Sequence, residues 1–284
     1  MFQARLSYVL SLFVMLPPLS IGVIAMNVNN VPKMIWMQNI IIFLIGVIIS
    51  YFVIWKRKFL GMRQVTYVPI ACTIFLLALT FIDPGIDDVH RWISLGPIKL
   101  YIASIVLPLL ILLLGRFLSQ NNWGKTFLIT CIVTVILFLQ PDASQLTAFV
   151  IPMALLLWRK ADAKVSRALS VCMLFVFIAL SWIYLDHLAP VLYVEDIMDL
   201  VRKLGTGWSI IGIMSLLLLP APFIFSPPSQ EKLVSFCIGL YFLILLISAY
   251  IGHFPVPLMG YGVSPIIGYF IAITWLAQKK AYCT

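Results

Sequence analysis

Long apolar runs, separated by short polar segments, restrict the fold of this chain more than any other feature. A helix needs about 20 apolar residues to cross a bilayer. Hydrophobic residues make up 63% of the 284 residues and charged residues only 10%, so a water-soluble fold could not cover its surface with charge. We therefore predict an all-α integral membrane protein with about ten transmembrane helices. The candidate spans are 6–26, 34–55, 66–82, 98–118, 126–140, 145–158, 168–187, 207–226, 232–252 and 261–278.

The boundaries of some spans leave alternatives open. The fifth and sixth runs are short, and Gln140, Pro141 and Asp142 divide them, so one bent hairpin is an alternative to two spans. The first run lacks a small-residue cleavage site and leads straight into the second, which favours a span over a cleaved signal peptide. Because the spans leave few residues for loops, we expect a single polytopic membrane domain over 1–284. Its outer loops are about 83–97, 140–145, 186–206 and 253–260.

The net charge of +9 lies in short loops between the apolar runs, which indicates membrane orientation and excludes nucleic acid as a partner. With a cytoplasmic N-terminus, the inner segments carry 14 of the 19 Lys and Arg residues, in accord with the positive-inside rule. We therefore predict that both termini are cytoplasmic. The inner basic residues are Arg5, Lys56, Arg57, Lys58, Arg63, Arg116, Lys125, Arg159, Lys160, Lys164, Arg167, Lys232, Lys279 and Lys280.

The acidic residues and the histidines have the opposite distribution. Eight of the ten Asp and Glu residues and all three His residues fall in the outer segments. The outer face thus holds nearly all the groups that could perform acid–base or ion-binding chemistry. The outer acids are Asp83, Asp87, Asp88, Asp142, Asp186, Glu195, Asp196 and Asp199.

The first two outer loops carry single candidate residues. In 83–97, Arg91 and Trp92 suit a membrane interface, where Trp anchors the chain and Arg binds anions; the alternative is a solvated loop. In 140–145, Pro141 breaks the helix and Asp142 stands where a helix restarts. Asp142 therefore either caps that helix or has a functional role.

The third outer loop has three acids at helical spacing. On a helix, Glu195, Asp196 and Asp199 would crowd one side. Crowded carboxylates either raise one pKa, which suits a general base, or bind a divalent cation; a solvated acidic loop is the alternative. An apolar stripe would let the same helix lie at the membrane surface. Its members are Leu192, Ile197, Leu200, Val201 and Leu204.

The fourth outer loop is rich in Pro and Gly. The stretch 252–265 alternates these residues with apolar ones, which predicts a broken backbone next to the membrane. Irregular backbone at membrane depth is tolerated only inside protein or beside a polar cavity. We therefore expect this segment to be buried.

Motifs in these four loops resemble those of the SEDS family (shape, elongation, division and sporulation; FtsW/RodA/SpoVE). Residues 90–96, His-Arg-Trp-Ile-Ser-Leu-Gly, resemble the family's Gly-x-(Arg)-Arg-Trp-Ile-x-Leu-Gly. Residues 140–142 keep its Gln-Pro-Asp, and 255–264 resemble its Pro-Leu-Pro-Phe-x-Ser-Tyr-Gly-Gly-Ser-Ser. Residues 194–201 align without gaps with its His-Thr-Asp-Phe-Ile-Phe-Ala-Val, which places Asp196 on the family's essential carboxylate.

The resemblance implies a ten-span peptidoglycan glycosyltransferase that polymerises lipid II at the outer face of the bacterial cytoplasmic membrane, with a class B penicillin-binding protein as partner. It implies that Asp196 is catalytic and takes the proton of the attacking sugar 4-hydroxyl. Glu195 and Asp199 are candidate auxiliary acids that could substitute for family acids that this chain lacks. Arg91 or a divalent cation would neutralise the pyrophosphate that leaves. The substrate-binding residues implied are Arg91, Trp92, Asp142, Tyr261, Gly262 and Ser264.

The chain also departs from the family pattern. Residues 101–104, Tyr-Ile-Ala-Ser, replace the family's Gln-Pro-Ser-Glu, and the lysine that follows it in the family falls near Leu107. Residues 203–205, Lys-Leu-Gly, replace the family's Gly-Glu-Glu. These losses favour an alternative function, a non-catalytic SEDS-like scaffold or regulator of a cell-wall synthase. A third function is a lipid-precursor transporter; against it, the sequence has no evident inverted repeat and no charge in the middle of a span.

Overall fold

The computed structural model describes residues 13–55, 67–87, 89–96, 98–161 and 164–283, and almost all regular structure in them is helical. Arg5, Lys56, Arg57, Lys58, Arg63 and Asp88 lie outside the described residues. The helices are α1 (Leu16–Val28), α2 (Lys33–Trp55), α3 (Tyr67–Leu79), α4 (Ile102–Leu118), α5 (Trp123–Leu139), α6 (Ala143–Lys160), α7 (Lys164–Ile183), α8 (Ile197–Arg202), α9 (Thr206–Leu217), α10 (Ala221–Phe225), α11 (Lys232–Ile251) and α12 (Val263–Cys283).

Within the residues that the structure describes, each predicted span is helical over most of its length, which confirms the all-α prediction. The fifth and sixth runs are the separate helices α5 and α6, joined by 140–142. The eighth run is broken, because Pro220 cannot continue α9 and instead directly precedes α10. By length and composition, Lys33–Ile54 and Lys232–Ile251 are each sufficient to cross a bilayer, and several other apolar helices are shorter. The number of crossings and the side of each terminus stay predictions.

The surface of the helices is as apolar as the sequence led us to expect. Along α2, the side chains of Ile41, Leu44, Ile48 and Phe52 are exposed although they are large and hydrophobic. Such a surface is unfavourable in water but suits the hydrocarbon of a bilayer.

The structure divides into two compact units, and the predicted single domain over 1–284 stays a prediction. The described residues before 62 pack with those from 189 onward, and 67–188 form the second unit. In the first unit, α1 packs against α2, α8 and α9, and α2 packs against α12. The hydroxyl of Thr274 donates to Ser50 (2.9 Å) and the amide of Gln278 to the Val53 carbonyl (3.1 Å), so α2 and α12 are also joined by buried polar contacts.

In the second unit, α4 is buried along most of its length, and α6 packs against α4, α5 and α7. One element was not predicted from the sequence. The strands β1 (Trp92–Leu95) and β2 (Ile98–Tyr101) form an antiparallel hairpin at the place where a loop and the start of the fourth span were expected. Strand β2 runs directly into α4, so the helix begins four residues later than predicted.

Among the described glycines, Gly22 on α1 lies closest to the backbone of another segment. A Cβ atom there would lie 2.0 Å from the carbonyl oxygen of Met259, which belongs to the Pro- and Gly-rich stretch 252–265. Backbone cannot yield as a flexible side chain does, so only glycine fits this contact.

We expect Gly22→Ala to lower the stability of the protein by about 1–3 kcal/mol, because the added methyl group overpacks this contact. The matched control is Gly124→Ala on α5, where a Cβ would meet nothing within 4 Å. Thermal unfolding of both variants in the same detergent measures the difference. Equal melting temperatures would show that α1 and the stretch 252–265 are not in close contact.

Candidate functional site

The guanidinium of Arg91, just before β1, is buried and binds the chain between α5 and α6. Its Nε donates to the Gln140 carbonyl (3.2 Å), and its Nη2 donates to the Pro141 carbonyl and to the carboxylate of Asp186. Its Nε also lies 3.9 Å from Oδ2 of Asp142. One cation therefore joins the hairpin, the break before α6 and the segment after α7.

Asp142 is fully buried and has several partners. Its Oδ1 accepts the backbone N–H of Gln145 (3.1 Å), so it caps α6 as one of the two sequence interpretations proposed. Its Oδ2 accepts the hydroxyl of Tyr101 at the end of β2. Burial raises the pKa of Asp142, against the opposing effects of the Arg91 charge and of the hydrogen bonds from Tyr101 and Gln145. A substrate-binding role for Asp142 stays a prediction.

Further polar contacts extend from this cluster into the unit. The side-chain amide of Gln140 donates to the Leu77 carbonyl (3.1 Å) and to the Thr80 hydroxyl (2.8 Å), which ties the break before α6 to the end of α3. Ser104, where the resembled family has a glutamate, accepts a hydrogen bond from the Gln145 amide (3.3 Å). Leu107, near the family's lysine, is buried. The side chains at these two positions are therefore neutral, whereas those of the resembled family are charged.

The sequence interpretation missed two partners of this cluster, Asp186 and Tyr101. Asp186 was noticed only as an outer acid, and 95 residues separate it from Arg91, so their pairing was not readable from the sequence. Trp92, predicted to bind substrate, is half-buried and lies opposite Tyr101 in the hairpin, with ring centroids 6.2 Å apart.

The second candidate cluster is in the first unit and centres on Asp196, the residue just before α8. Its Oδ1 lies 2.9 Å from Nδ1 of His253. The Asp196 side chain is 21% exposed and that of His253 is 69% exposed. Among the described residues, no hydrogen-bond partner contacts the other carboxylate oxygen of Asp196. The bond from His253 to Oδ1 therefore orients this carboxylate, and part of the Asp196 side chain is accessible to solvent.

The three neighbouring acids do not crowd together, and that prediction was wrong. Helix α8 begins only at Ile197, so Glu195 and Asp196 precede it. Glu195 accepts the Val191 N–H (2.8 Å), whereas Asp199 pairs with Arg202 on the exposed side of α8 (2.5 Å). Among the described residues, no three His, Cys, Asp or Glu side chains form a group that could hold a metal ion.

The apolar stripe of this segment also lies elsewhere than predicted. Ile197, Leu200 and Val201 are buried, and α8 packs against α1 and α9 inside the unit. Leu192 precedes the helix and is exposed. Three of its residues therefore pack α8 against α1 and α9, which gives Asp196 a firm support.

Within the stretch 252–265, residues 254–262 are irregular and mostly buried, which confirms the prediction, whereas His253 is exposed and α12 begins at Val263. The stretch runs beside the segment before α8, because the N–H of Val256 donates to Val194 (3.3 Å) and that of Tyr261 to Tyr193 (2.7 Å). Gly260 is required there, since a Cβ would lie 2.4 Å from the Val194 carbonyl oxygen. This pairing of the two segments brings His253 against Asp196.

One buried amide of α2, Asn39, holds the far end of this stretch. It donates to the Gly260 carbonyl (3.1 Å) and accepts the N–H of Gly262 (3.2 Å). The hydroxyl of Tyr261, the residue between these glycines, donates to the neighbouring amide of Gln38 (2.9 Å). The sequence interpretation missed these two amides and His253; adjacent amides inside an apolar run were the available signal.

The structure thus sorts the predicted site residues into two groups. Arg91, Trp92 and Asp142 lie in the second unit with Tyr101 and Asp186. The first unit holds Asp196, Glu195, Asp199, Tyr261, Gly262 and the buried Ser264. Tyr261 and Gly262 bind groups of the protein itself, and their predicted contact with substrate stays a prediction.

Solved structures of two kinds are similar to this fold. Rod shape determining protein RodA of Thermus thermophilus aligns with a TM-score of 0.69 and 16% identity over 95% of each chain. A mutant of it, with alanine for one aspartate, gives 0.71 at 16% identity, covering 95% of this chain and 96% of that one. A chain of a peptidoglycan synthase complex that coordinates polymerization and crosslinking gives 0.65 at 15% identity, covering 96% and 97%.

No curated protein shows a significant sequence match to the chain. Residues 1–217 match the model of the FtsW/RodA/SpoVE family, described as cell cycle proteins. That match covers most of the 284 residues, and the structural likeness extends over nearly the whole fold. The chain is therefore a member of the SEDS (FtsW/RodA/SpoVE) family, and with it a helical multi-pass protein of the bacterial cytoplasmic membrane.

Proposed function

We propose that this protein is a peptidoglycan glycosyltransferase that polymerises lipid II. Its family membership and its likeness to a chain of a peptidoglycan synthase complex support a role in cell-wall synthesis with a synthase as partner. The observation that carries the finer proposal is the Asp196–His253 pair, a partly exposed carboxylate that one hydrogen bond orients. We take the partner to be a class B penicillin-binding protein.

The Asp196 carboxylate can act as the general base that this reaction needs. As the 4-hydroxyl oxygen of one lipid-linked sugar attacks the anomeric carbon of the other, the new glycosidic bond forms and the bond to the pyrophosphate oxygen breaks. Asp196 accepts the hydroxyl proton, and the lipid pyrophosphate leaves with the bonding electrons. Because Oδ1 is bound to His253, Oδ2 is the oxygen that receives the proton.

The second candidate function is a non-catalytic partner of a cell-wall synthase. The neutral side chains of Ser104 and Leu107, at places where the resembled family has charges, favour it. In that case the fold is kept for a protein–protein contact, and Asp196 has no chemical task.

Replacing the proposed base should separate the two functions. We expect Asp196→Ala to lower the rate of lipid II polymerisation by about 10²–10⁴-fold, the usual contribution of a general base. The matched control is Asp199→Ala, three residues away, whose carboxylate is exposed and pairs only with Arg202 among the described residues. Glycan strands formed by the purified protein, together with class B penicillin-binding proteins, are measured by gel electrophoresis.

Unchanged polymerisation by Asp196→Ala would contradict the proposed base. No strands from the wild-type protein, in an assay where another SEDS protein is active, would instead favour the non-catalytic function. An equal loss in both variants would indicate a general effect of charge removal near α8.

The hydrogen bond from His253 should matter for turnover. We expect His253→Ala to lower kcat by about 10- to 100-fold, the worth of a hydrogen bond to a charged group, with a smaller effect on KM. His253→Gln keeps a side-chain donor and should recover part of the lost kcat. A change in KM alone, or no recovery with Gln, would mean that His253 does not orient Asp196.

Removing the buried guanidinium of Arg91 should instead lower the stability of the protein. Arg91→Leu leaves the buried Asp142 and the nearly buried Asp186 without their cation, which should cost about 3–5 kcal/mol. The control is Arg202→Leu, which removes an exposed ion pair worth about 0–1 kcal/mol. Thermal unfolding in detergent measures both. Equal melting temperatures of the two variants would show that Arg91 does not stabilise the fold. They would favour the role predicted from the sequence, in which Arg91 binds an anion.

A further inference from the structure

The hairpin between α3 and α4 has two chemically different faces. Directly opposed residues of an antiparallel pair project to the same face, and successive pairs alternate between faces. The pairs Ile93–Leu100 and Leu95–Ile98 share one face, which is entirely aliphatic. The pairs Trp92–Tyr101 and Ser94–Lys99 share the other face.

At its tip, this aliphatic face is partly exposed in the part of the chain that the structure describes. Leu95 is 60% exposed and Ile98 is 37% exposed, while Ile93 and Leu100 nearer the base are partly buried. The opposite face has no exposed aliphatic residue among its four members. At its base Tyr101 is buried against Asp142, and at its tip Ser94 and Lys99 are exposed polar residues.

The position of the hairpin indicates what covers the aliphatic face. Tyr101 is followed at once by Ile102, the first residue of α4, so the hairpin lies where a membrane helix begins. Its other strand is tied to the end of α3, because the Ser94 N–H donates to the carboxylate of Asp83 (2.7 Å). The residue before that carboxylate, Ile82, is 79% exposed and continues the apolar surface of α3.

We propose that the aliphatic face of this hairpin inserts into the bilayer surface and contacts phospholipid acyl chains. The apolar surface of α3 continues to Ile82 beside it, so one lipid-covered surface includes both. The Ser94–Lys99 face then points to water, and the Lys99 ammonium extends to lipid phosphates. The occupant is therefore lipid rather than a second protein.

This contact would also steady the Arg91 cluster. Arg91 directly precedes β1 and Tyr101 ends β2, and the N–H of Ile102 donates to the Arg91 carbonyl (3.3 Å). Arg91 and Tyr101 both bind residues 140–142, the break before α6. A hairpin tip anchored in lipid therefore also holds the ends of β1 and β2 next to these two residues. The inference does not depend on the proposed glycosyltransferase activity.

The test is the depth of labels on the two faces of the hairpin. Single cysteines Leu95→Cys and Ile98→Cys, with Ser94→Cys and Lys99→Cys as matched controls, are introduced into a background without reactive native cysteines. Each carries an environment-sensitive fluorophore in phosphatidylcholine–phosphatidylglycerol nanodiscs. Quenching by doxyl-labelled lipid is compared with quenching by aqueous iodide, and circular dichroism checks that each variant is folded.

We expect the labels at 95 and 98 to be quenched severalfold more by the lipid quencher than by iodide, and those at 94 and 99 to show the reverse order. Iodide quenching as strong at 95 and 98 as at the controls would overturn the proposal, because the face would then be in water. Protection from both quenchers would also overturn it, because protein would then cover the face. The two aliphatic positions are independent, so one misfolded variant leaves the test intact.

Discussion

Backbone polar groups within or beside a bilayer must find partners inside the protein, and at three breaks between the described helices a buried side chain supplies such partners. Before α6, Arg91 binds two consecutive carbonyls. Between α9 and α10, the Tyr269 hydroxyl donates to the Leu219 carbonyl (2.8 Å). Beside α12, Asn39 binds a carbonyl and an N–H on either side of Tyr261. A side chain from another part of the same unit therefore holds each of these three segments, as a reactive group placed on such a segment requires.

Two carboxylates of the chain illustrate how burial separates a structural from a chemical role. Asp142 is fully buried, and a guanidinium, a hydroxyl and a backbone amide surround it, so a substrate hydroxyl has no free approach to it. Asp196 is partly exposed, and His253 occupies one of its oxygens. Its support comes from the buried face of α8 and from the pairing of the segment before α8 with the stretch around Gly260. On this physical ground Asp196 is the better candidate for a base.

Much of the fold could be predicted because a bilayer imposes length and polarity on each helix. The predicted spans are helical over most of the described residues, Asp142 caps α6, and most of the Pro- and Gly-rich stretch is buried. Contacts between distant segments could not be predicted. The partnership of Arg91 with Asp186, and of Asp196 with His253, depends on which loops meet, and a single sequence does not specify that. The β-hairpin was missed because its strands alternate only briefly and merge with an apolar run.

Asp196 is the proposed base, and the structure of the protein with bound lipid II tests that role directly. Determined by cryo-electron microscopy with a class B penicillin-binding protein, it should place the acceptor 4-hydroxyl about 2.6–3.2 Å from Oδ2 of Asp196, with His253 still on Oδ1. A bound sugar whose 4-hydroxyl lies away from Asp196, against another acid or against no acid, would contradict the account.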